Sequence, residues 1–220
     1  MKTIKIDIVS DVMCPWCIIG YKRLEQALDS ISDQVSAQIH FRPFIMNPNL
    51  PEGGQNLWEN TSQKYGMSVE ESYASRENFI NLGKELGFIY NFKKDTRMYN
   101  TSKAHQLMIW AEIFGKKNEL KLAMFKAHFT DNLVMDDDSV LAQIAESVGL
   151  DKAQAHDILH SEKFLKEMLK EERCWKNAGV NSVPAFIINQ KHLISGAQNP
   201  GVLAESLLNI AAKKKPQGKA

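Results

Sequence analysis

The chain has 220 residues, which is enough for one large domain or two small ones. Lysine and arginine (27) nearly balance aspartate and glutamate (26), and the formal net charge is +1, so the composition excludes a general binder of nucleic acid or of anionic membranes. Apolar residues make up 44% of the chain, but no stretch of about 18 apolar residues occurs, which excludes a membrane-spanning helix.

The first elements are a strand, a helix and a second strand. Isoleucines alternate over about residues 3–9, which predicts a buried strand. Pro15 suits the first turn of a helix, and an apolar stripe continues that helix to about residue 31. Alternation returns over 35–42, whereas the prolines and glycines of 43–56 exclude a regular element. The chain therefore begins with a β-α-β unit.

A block of helices follows, and short end signals predict where its members begin and end. Ser68 and Glu71 form a capping-box pattern for a helix that ends near Gly87. The one weak strand signal in this block is the run Phe88–Phe92. Further helices are predicted over 101–114, onward to about residue 130, after the acidic run at 136–138, and after the N-cap residues Asp151 and Ser161.

The chain returns to strand patterns near its end. Residues 185–189 and 191–195 flank a turn at Asn189-Gln190, which predicts a β-hairpin, and Asn199-Pro200 begins a last helix. The order is thus β-α-β, a helical block of roughly 120 residues, and α-β-β-α, which is an α/β protein. The two ends form one sheet only if the helical block is an insertion between them.

The N-terminal segment and the cysteine count bear on the cellular compartment. Asp7 and Asp11 interrupt the first apolar run before it is long enough for a signal peptide, and no small-residue cleavage site follows. Cys14, Cys17 and Cys174 are an odd number, which disfavours the disulfide framework of a secreted protein. We therefore expect a cytoplasmic protein.

Two of the cysteines form a Cys-Pro-Trp-Cys motif at the predicted start of the first helix. This spacing puts the sulfurs of Cys14 and Cys17 about one turn apart, close enough for a disulfide. The free N–H groups and partial positive charge of a helix N-terminus favour a thiolate, so we expect a lowered pKa for Cys14. Cys17 lies a turn inside the helix, where burial would keep it protonated. Such an asymmetric pair is suited to thiol–disulfide exchange.

Two other interpretations of the cysteine pair are weaker. Zinc needs about four ligands, and only one such motif is present; His156 and His160 are four residues apart, but nothing places them near Cys14. Inert core cysteines are common, but a Pro-Trp between two cysteines directly after a strand disfavours that interpretation. We therefore predict a redox-active Cys14–Cys17 pair and no metal site.

A second candidate part of the site is Ser182-Val183-Pro184, at the start of the predicted hairpin. Proline cannot donate a hydrogen bond to a sheet, so it suits the first residue of a strand. The Val183–Pro184 peptide bond is either an ordinary trans bond or a cis bond, and a cis bond would be a functional feature.

Six segments of the chain carry a resemblance to a known family: DVMCPWCIIG, FRPFIMNPNLPEGG, NTSKAHQL, VLAQIAESVGLD, VPAFIIN and SGAQ. Together they resemble the DsbA family of thioredoxin-fold oxidoreductases. The SGAQ segment is most similar to the FrnE-like subgroup, which includes proteins described as like 2-hydroxychromene-2-carboxylate isomerase. The resemblance covers nearly the whole chain and implies a thioredoxin fold, with β-α-β and β-β-α halves and a large all-helical insertion. We expect a thioredoxin-like domain over 1–45 and 172–213, a linker loop and helical insertion over 46–171, and a disordered tail over 214–220.

The resemblance also implies roles for individual residues. It makes Cys14 the nucleophile, Cys17 the resolving thiol and Pro184 a cis-proline that faces them. Relatives often have Gly-Val-Pro where this chain has Ser182-Val183-Pro184. Some members of the wider superfamily are glutathione-linked isomerases or transferases with serine in place of the first cysteine, and Cys14 argues against that branch.

Other residues are expected to contact the substrate. Pro15, Trp16 and Val183 flank the sulfurs, and His105 lies in a helix predicted to face the active-site groove. We expect the helical insertion to cover the active-site face, with the loop at 44–50 and the helix that holds His105 as walls of a groove.

Two other residues, Asp11 and Cys174, have weaker functional signals. Asp11 either takes up protons during exchange or caps the helix. Cys174 is expected to be a buried helix residue.

We therefore expect a thiol–disulfide oxidoreductase or isomerase that acts on protein or small-molecule thiols and disulfides. It would hold no tightly bound cofactor beyond the redox-active Cys14–Cys17 disulfide, use glutathione as a possible co-substrate, and be a monomer or homodimer. One alternative is a glutathione-dependent isomerase or transferase that acts on a small aromatic substrate. Another is a redox-sensing binding module without turnover.

Overall fold

The computed structural model describes residues 1–212. Its strands are β1 (Lys2–Ser10), β2 (Val35–Pro43), β3 (Gln55–Asn56), β4 (Arg97–Met98), β5 (Ala185–Ile188) and β6 (His192–Ser195). Its helices are α1 (Pro15–Ser30), α2 (Leu57–Tyr65), α3 (Val69–Glu85), α4 (Ser102–Glu112), α5 (Lys117–Phe129), α6 (Asp138–Ser147), α7 (Lys152–Ser161), α8 (Leu165–Asn177) and α9 (Pro200–Ala212). The tail predicted over 214–220 lies outside the described residues.

A four-stranded sheet joins the two ends of the chain in the order β2-β1-β5-β6. The central strand β1 pairs in parallel with β2 and antiparallel with β5, so that Ile6 lies between Ile39 and Ile188. The parallel pair needs a crossover connection, which α1 supplies, whereas a tight turn suffices for β5 and β6. The β-α-β and β-β-α halves therefore share one sheet, as expected, and the fold class is α/β.

Side chains alternate across β1, and each face of the sheet is covered by helices. Ile4, Ile6 and Ile8 are buried in the main core, together with apolar residues of α1 and α9. Val9 points to the opposite face, where it packs with Val180 and Ile187 under the end of α8. The sheet is therefore the middle layer of three, and the end of β1 delivers the chain directly into α1.

The helical block inserted between β2 and α8 has a small sheet of its own. Residues 55–56 and 97–98 pair as the antiparallel ribbon β3-β4, so the insertion is not entirely helical. The run Phe88–Phe92 is not a strand; it is a loop in which the rings of Tyr90 and Phe92 stack at 5.4 Å. Helix α8 is continuous from Leu165 to Asn177, so the boundary predicted between residues 171 and 172 falls inside a helix.

Most of the predicted helix ends are present. Ser68 and Glu71 form a complete capping box, and the side chains of Asp137 and Asp151 cap α6 and α7. The prediction for Ser161 was wrong. Its hydroxyl donates back to the carbonyl of Ile158 in the last turn of α7, and α8 begins only after Phe164. Within residues 1–212, no helix is both long and apolar enough to cross a membrane.

Candidate active site

The turn between β1 and α1 places both cysteines of the Cys-Pro-Trp-Cys motif. Cys14 is the N-cap residue of α1 and has an extended backbone, with φ −95° and ψ 110°, and Pro15 occupies the first helical position. Both sulfurs are free thiols in the structure. Cys14 is 3% exposed and Cys17 is fully buried, so access to the pair is possible only from the side of Cys14.

The loop before β5 faces Cys14. The Val183–Pro184 peptide bond is cis, and the Sγ of Cys14 lies 3.7 Å from the carbonyl oxygen of Val183, within hydrogen-bonding reach. Pro184 also packs against α1 at Gly20, where an added Cβ would lie 2.9 Å from the Cγ of Pro184. A glycine at this position therefore allows α1 and the proline loop to approach closely.

The two thiols hydrogen-bond to each other and titrate as a pair. The hydrogen bond with Cys17 and burial both raise the pKa of Cys14. Burial also tends to raise the pKa of Cys17, but the hydrogen bond from Cys14 and the positive charge of Lys121 outweigh it and lower that pKa. The raised pKa of Cys14 is opposite in direction to the lowered pKa expected from the helix N-terminus.

A buried polar cluster lies beneath the pair and is centred on Asp11. The carboxylate of Asp11 accepts hydrogen bonds from the backbone N–H groups of Met13, at 3.2 Å, and Met46, at 2.7 Å. The Nε2 of His105 lies 3.7 Å from the same carboxylate and donates to the carbonyl of Phe44 at 3.1 Å. Asp11 therefore connects the cysteine turn to the loop that follows β2.

The ionisation of this cluster follows from its partners. Burial tends to raise the pKa of Asp11, but His105, Lys121 and the N–H of Met46 lower it below the ordinary value. Burial lowers the pKa of His105, which favours a neutral imidazole. Asp11 is therefore a buried carboxylate that serves as a structural acceptor.

Lys121, on α5, is the cation of the cluster and is fully buried. Its ammonium group donates to the carbonyl of Ser10 at 3.3 Å and lies 4.8 Å from the ring centre of Phe125. Burial lowers the pKa of Lys121 to about 8, although the negative charge of the cysteine pair and of Asp11 favours its protonated form. This lysine thus places a positive charge behind the cysteine pair.

Replacing Lys121 with methionine should raise the pH at which Cys14 becomes reactive by about one unit, because a nearby opposite charge typically shifts a pKa by about 1–3 units. The measurement is the rate of Cys14 alkylation by iodoacetamide between pH 5 and 9, in a Cys174→Ser background. Lys117→Met is the matched control, since Lys117 is also buried on α5 but pairs with Glu112 at 2.9 Å. An unchanged profile for Lys121→Met would show that Lys121 does not support the thiolate.

A cavity of about 730 Å³ borders Cys14 and lies between the sheet and the insertion. Pro15, Trp16 and Val183, the residues predicted to contact substrate, line it beside the sulfur. Trp16 is 40% exposed, and its ring meets Phe79 edge-on at 5.0 Å. Of the two active-site sulfurs, only that of Cys14 is part of the cavity wall within the described residues.

Only some of the residues predicted to form the walls of the cavity line it. The loop at 44–50 contributes Phe44, Ile45, Met46 and Pro48, as predicted. The prediction for His105 was wrong: it is fully buried behind this loop, because its ring is held by the carbonyl of Phe44. The opposite wall comes instead from α2 and α3, which no sequence motif indicated.

Two further expectations concern residues outside the cavity. Cys174 was expected to be buried, but it is exposed, because α8 buries the stripe of Met168 and Glu172 and Cys174 lies on another face. No group of three or more potential metal ligands occurs in the part of the chain that the structure describes.

The chain matches known proteins over almost its full length. Residues 5–208 match the model of the DSBA-like thioredoxin domain family. YwbO of Bacillus subtilis is 24% identical over 215 residues, which cover 96% of this chain and all of that protein. A crystal structure of the probable DsbA oxidoreductase SCO1869 from Streptomyces coelicolor superposes with a TM-score of 0.91, at 27% identity, over 99% of this chain and 94% of that one.

A more distant structure shares the fold. The cytosolic disulfide reductase DsbM from Pseudomonas aeruginosa, determined with GSH, has a TM-score of 0.61 at 14% identity and covers 94% of this chain and 98% of its own. The expected thioredoxin fold is therefore confirmed. Because the family model spans far more than half of its residues, this chain belongs to the DSBA-like thioredoxin domain family.

Proposed function

We propose that this protein is a thiol–disulfide oxidoreductase in which Cys14 attacks and Cys17 resolves. The observation that carries the proposal is the different position of the two sulfurs. Cys14 borders the cavity and faces the Val183–Pro184 loop. Cys17 is buried behind Cys14 and hydrogen-bonded to it. Substrate contacts at Pro15, Trp16 and Val183 follow from the same geometry. Pro184 is the cis-proline that holds the carbonyl of Val183 opposite Cys14.

The exchange reaction begins with a proton transfer inside the pair. The proton of Cys14 moves along the hydrogen bond to Cys17, which leaves the thiolate on the accessible sulfur. That thiolate attacks one sulfur of a substrate disulfide, forms a mixed disulfide with it and releases the other sulfur as a thiolate. The positive charge of Lys121 stabilises negative charge at the pair in either position.

Cys17 then completes the reaction. After losing its proton, Cys17 attacks the Sγ of Cys14, which forms the Cys14–Cys17 disulfide and releases the second half of the substrate as a thiolate. The cysteine pair passes two electrons and its one proton to the substrate, and one further proton from solvent completes the two product thiols. The reverse sequence oxidises a dithiol, and the reduction potential of the partner decides the net direction.

The partners and compartment follow from the same proposal. Glutathione fits as a co-substrate, since DsbM, which shares the fold, is a cytosolic disulfide reductase whose structure was determined with GSH. We place the reaction in the cytoplasm. The size of the cavity also supports a second candidate, a glutathione-dependent isomerase or transferase acting on a small aromatic molecule.

The test is to trap the mixed disulfide. The Cys17→Ser, Cys174→Ser variant should acquire one glutathione on Cys14 when mixed with glutathione disulfide, because the resolving sulfur is missing. Peptide mass spectrometry locates the adduct. The matched control, Cys14→Ser with Cys174→Ser, should acquire none, since Cys17 does not border the cavity. Equal modification of Cys17 in that control would contradict the assignment.

The second candidate predicts a different outcome for the resolving cysteine. An isomerase or transferase does not pass through a Cys14–Cys17 disulfide, so Cys17→Ser would retain turnover and that turnover would need glutathione. The oxidoreductase loses multiple turnover in the same variant, unless excess glutathione resolves the mixed disulfide in place of Cys17. Turnover of a disulfide substrate without glutathione therefore separates the two functions.

A further inference from the structure

Three positively charged side chains line the cavity at Cys14, and one of them is buried without an anionic partner. Lys64, Arg76 and Lys176 line it, and no aspartate or glutamate among residues 1–212 does. The two lysines are at the surface, and each has a partner: Lys64 donates to the carbonyl of Met46, and Lys176 pairs with Glu172 at 2.8 Å. Arg76 is different, because it is only 6% exposed.

The guanidinium group of Arg76 is incompletely paired. It makes two long hydrogen bonds, to the carbonyl of Lys93 at 3.3 Å and the hydroxyl of Ser72 at 3.4 Å, and its charged carbon lies 5.0 Å from the ring centre of Tyr73. Its Nε is buried without a hydrogen-bond partner. Burying a cation with an unpaired hydrogen-bond donor costs free energy unless an anion pairs with it. A planar guanidinium group matches the two oxygens of a carboxylate and can bind them with two parallel hydrogen bonds.

An aromatic wall connects Arg76 with Cys14. Phe79 lies one helical turn beyond Arg76 on α3, and its ring contacts Trp16 of the active-site motif at 5.0 Å. Phe92 and Phe129 continue this wall within the same cavity. Aromatic side chains of this kind pack well against the ring of an aromatic ligand. The cavity thus offers a reactive sulfur, a ring-sized apolar space and a buried cation.

We propose that the cavity binds a small aromatic thiol or disulfide that carries a carboxylate, with its sulfur at Cys14 and its carboxylate at Arg76. This inference rests on the proposed function and adds the class of substrate. The chemistry is the exchange described above: Cys14 forms the mixed disulfide with the aromatic sulfur, one aryl thiolate leaves, and Cys17 releases the other. Arg76 is a binding residue and takes no part in the electron transfer.

The test compares two aromatic disulfides, the anionic dithiobis(nitrobenzoate) and the neutral dithiodipyridine. Each is mixed with the protein in a Cys17→Ser, Cys174→Ser background, so that the first exchange on Cys14 is followed alone by absorbance of the released thiol. Arg76→Gln should reduce the rate ratio of anionic to neutral probe about tenfold, because it removes charged hydrogen bonds to the probe. Arg76→Lys should retain part of the preference. Arg173→Gln, an exposed arginine on α8, should leave the ratio unchanged.

A second measurement examines binding without exchange. Naphthoate should protect Cys14 from the neutral disulfide in the arginine-containing protein, whereas naphthamide, which has the same rings without the charge, should not. The protection should disappear in Arg76→Gln. Unchanged rates with the neutral probe in that variant show that the Cys14 site has remained folded.

The outcomes separate this inference from the function on which it rests. If both probes react at Cys14 but the ratio and the protection are the same in Arg76→Gln, the substrate class is wrong while the oxidoreductase function stands. The same conclusion follows if a peptide disulfide is preferred over both aromatic probes and Arg76→Gln does not alter that preference. If Cys14 reacts with neither probe, the proposed function fails and this inference with it.

Discussion

Replacing Cys14 with serine should abolish the disulfide-exchange activity of the protein, whereas replacing Cys174 should leave it unchanged. Serine lacks a thiolate, and Cys17 cannot substitute because it is fully buried and does not border the cavity. The measurement is reduction of insulin or glutathione disulfide with dithiothreitol as the electron donor. Far-ultraviolet circular dichroism verifies that the variants are folded.

The Cys174→Ser variant is the control for this comparison. Cys174 is exposed and lies outside the cavity, so we expect it to react with thiol reagents independently of the site. Activity that survives in Cys14→Ser but is lost in Cys174→Ser would transfer the active thiol to α8 and refute the assignment of the nucleophile.

Replacing Asp11 with asparagine should lower the free energy of unfolding by about 3 kcal/mol, because removing one partner from a buried charged network leaves the others uncompensated. Asparagine also offers only one acceptor oxygen to the two backbone N–H groups, of Met13 and Met46, that the carboxylate binds. Denaturation in urea measures the difference. Asp138→Asn is the matched control, since Asp138 pairs with a partly exposed lysine on the surface and should cost less than about 1 kcal/mol.

The difference in the free energy of unfolding between the natural protein and Asp11→Asn should change with pH in one direction. The pKa of Asp11 is lower in the folded protein than its ordinary value of 3.8, so the folded state favours the ionised form. Its contribution is complete above that ordinary pKa and is lost as the pH falls through the lowered folded-state pKa. The gap in stability between the natural protein and Asp11→Asn should therefore narrow in acid. A constant gap down to pH 3 would indicate that the ionisation of Asp11 does not contribute.

The parts of the site that the sequence predicted are those governed by local signals. A strand that ends just before Cys-Pro-Trp-Cys determines that Cys14 caps α1, and a proline at the start of a strand determines the loop opposite. Strand alternation predicted the strands at both ends of the chain, and the resemblance to a known family implied that they share one sheet. The resemblance to a known family added the fold name and the roles of Cys14, Cys17 and Pro184.

The parts that the sequence did not predict depend on contacts between distant segments. Lys121 occupies a buried position on α5, and no local pattern indicates that α5 packs behind the cysteine pair. Helix α4 is buried on nearly all sides, so its periodicity gave no information about the direction of His105. A lysine within the apolar stripe of Leu120 and Met124 was the one available signal for Lys121.

The ionisation of the cysteine pair could not be predicted from the sequence for the same reason. The helix N-terminus favours a thiolate at Cys14, and that local effect is visible in the sequence. The position of Lys121 next to Cys17 and the burial of Cys14 are tertiary effects, and they favour the charge on Cys17. In the proposed reaction, the position of Cys14 at the cavity therefore selects it as the attacking sulfur.

The central claim is that Cys14 and Cys17 form one reversible redox couple, and its most direct test is equilibration of the protein with graded mixtures of glutathione and glutathione disulfide. After acid quenching and alkylation, peptide mass spectrometry reports the state of each cysteine. We predict that Cys14 and Cys17 lose their thiols together in a single reversible transition that yields a bond between them, while Cys174 changes independently. Stable glutathione adducts on Cys14 without a Cys14–Cys17 bond at any ratio would contradict this account.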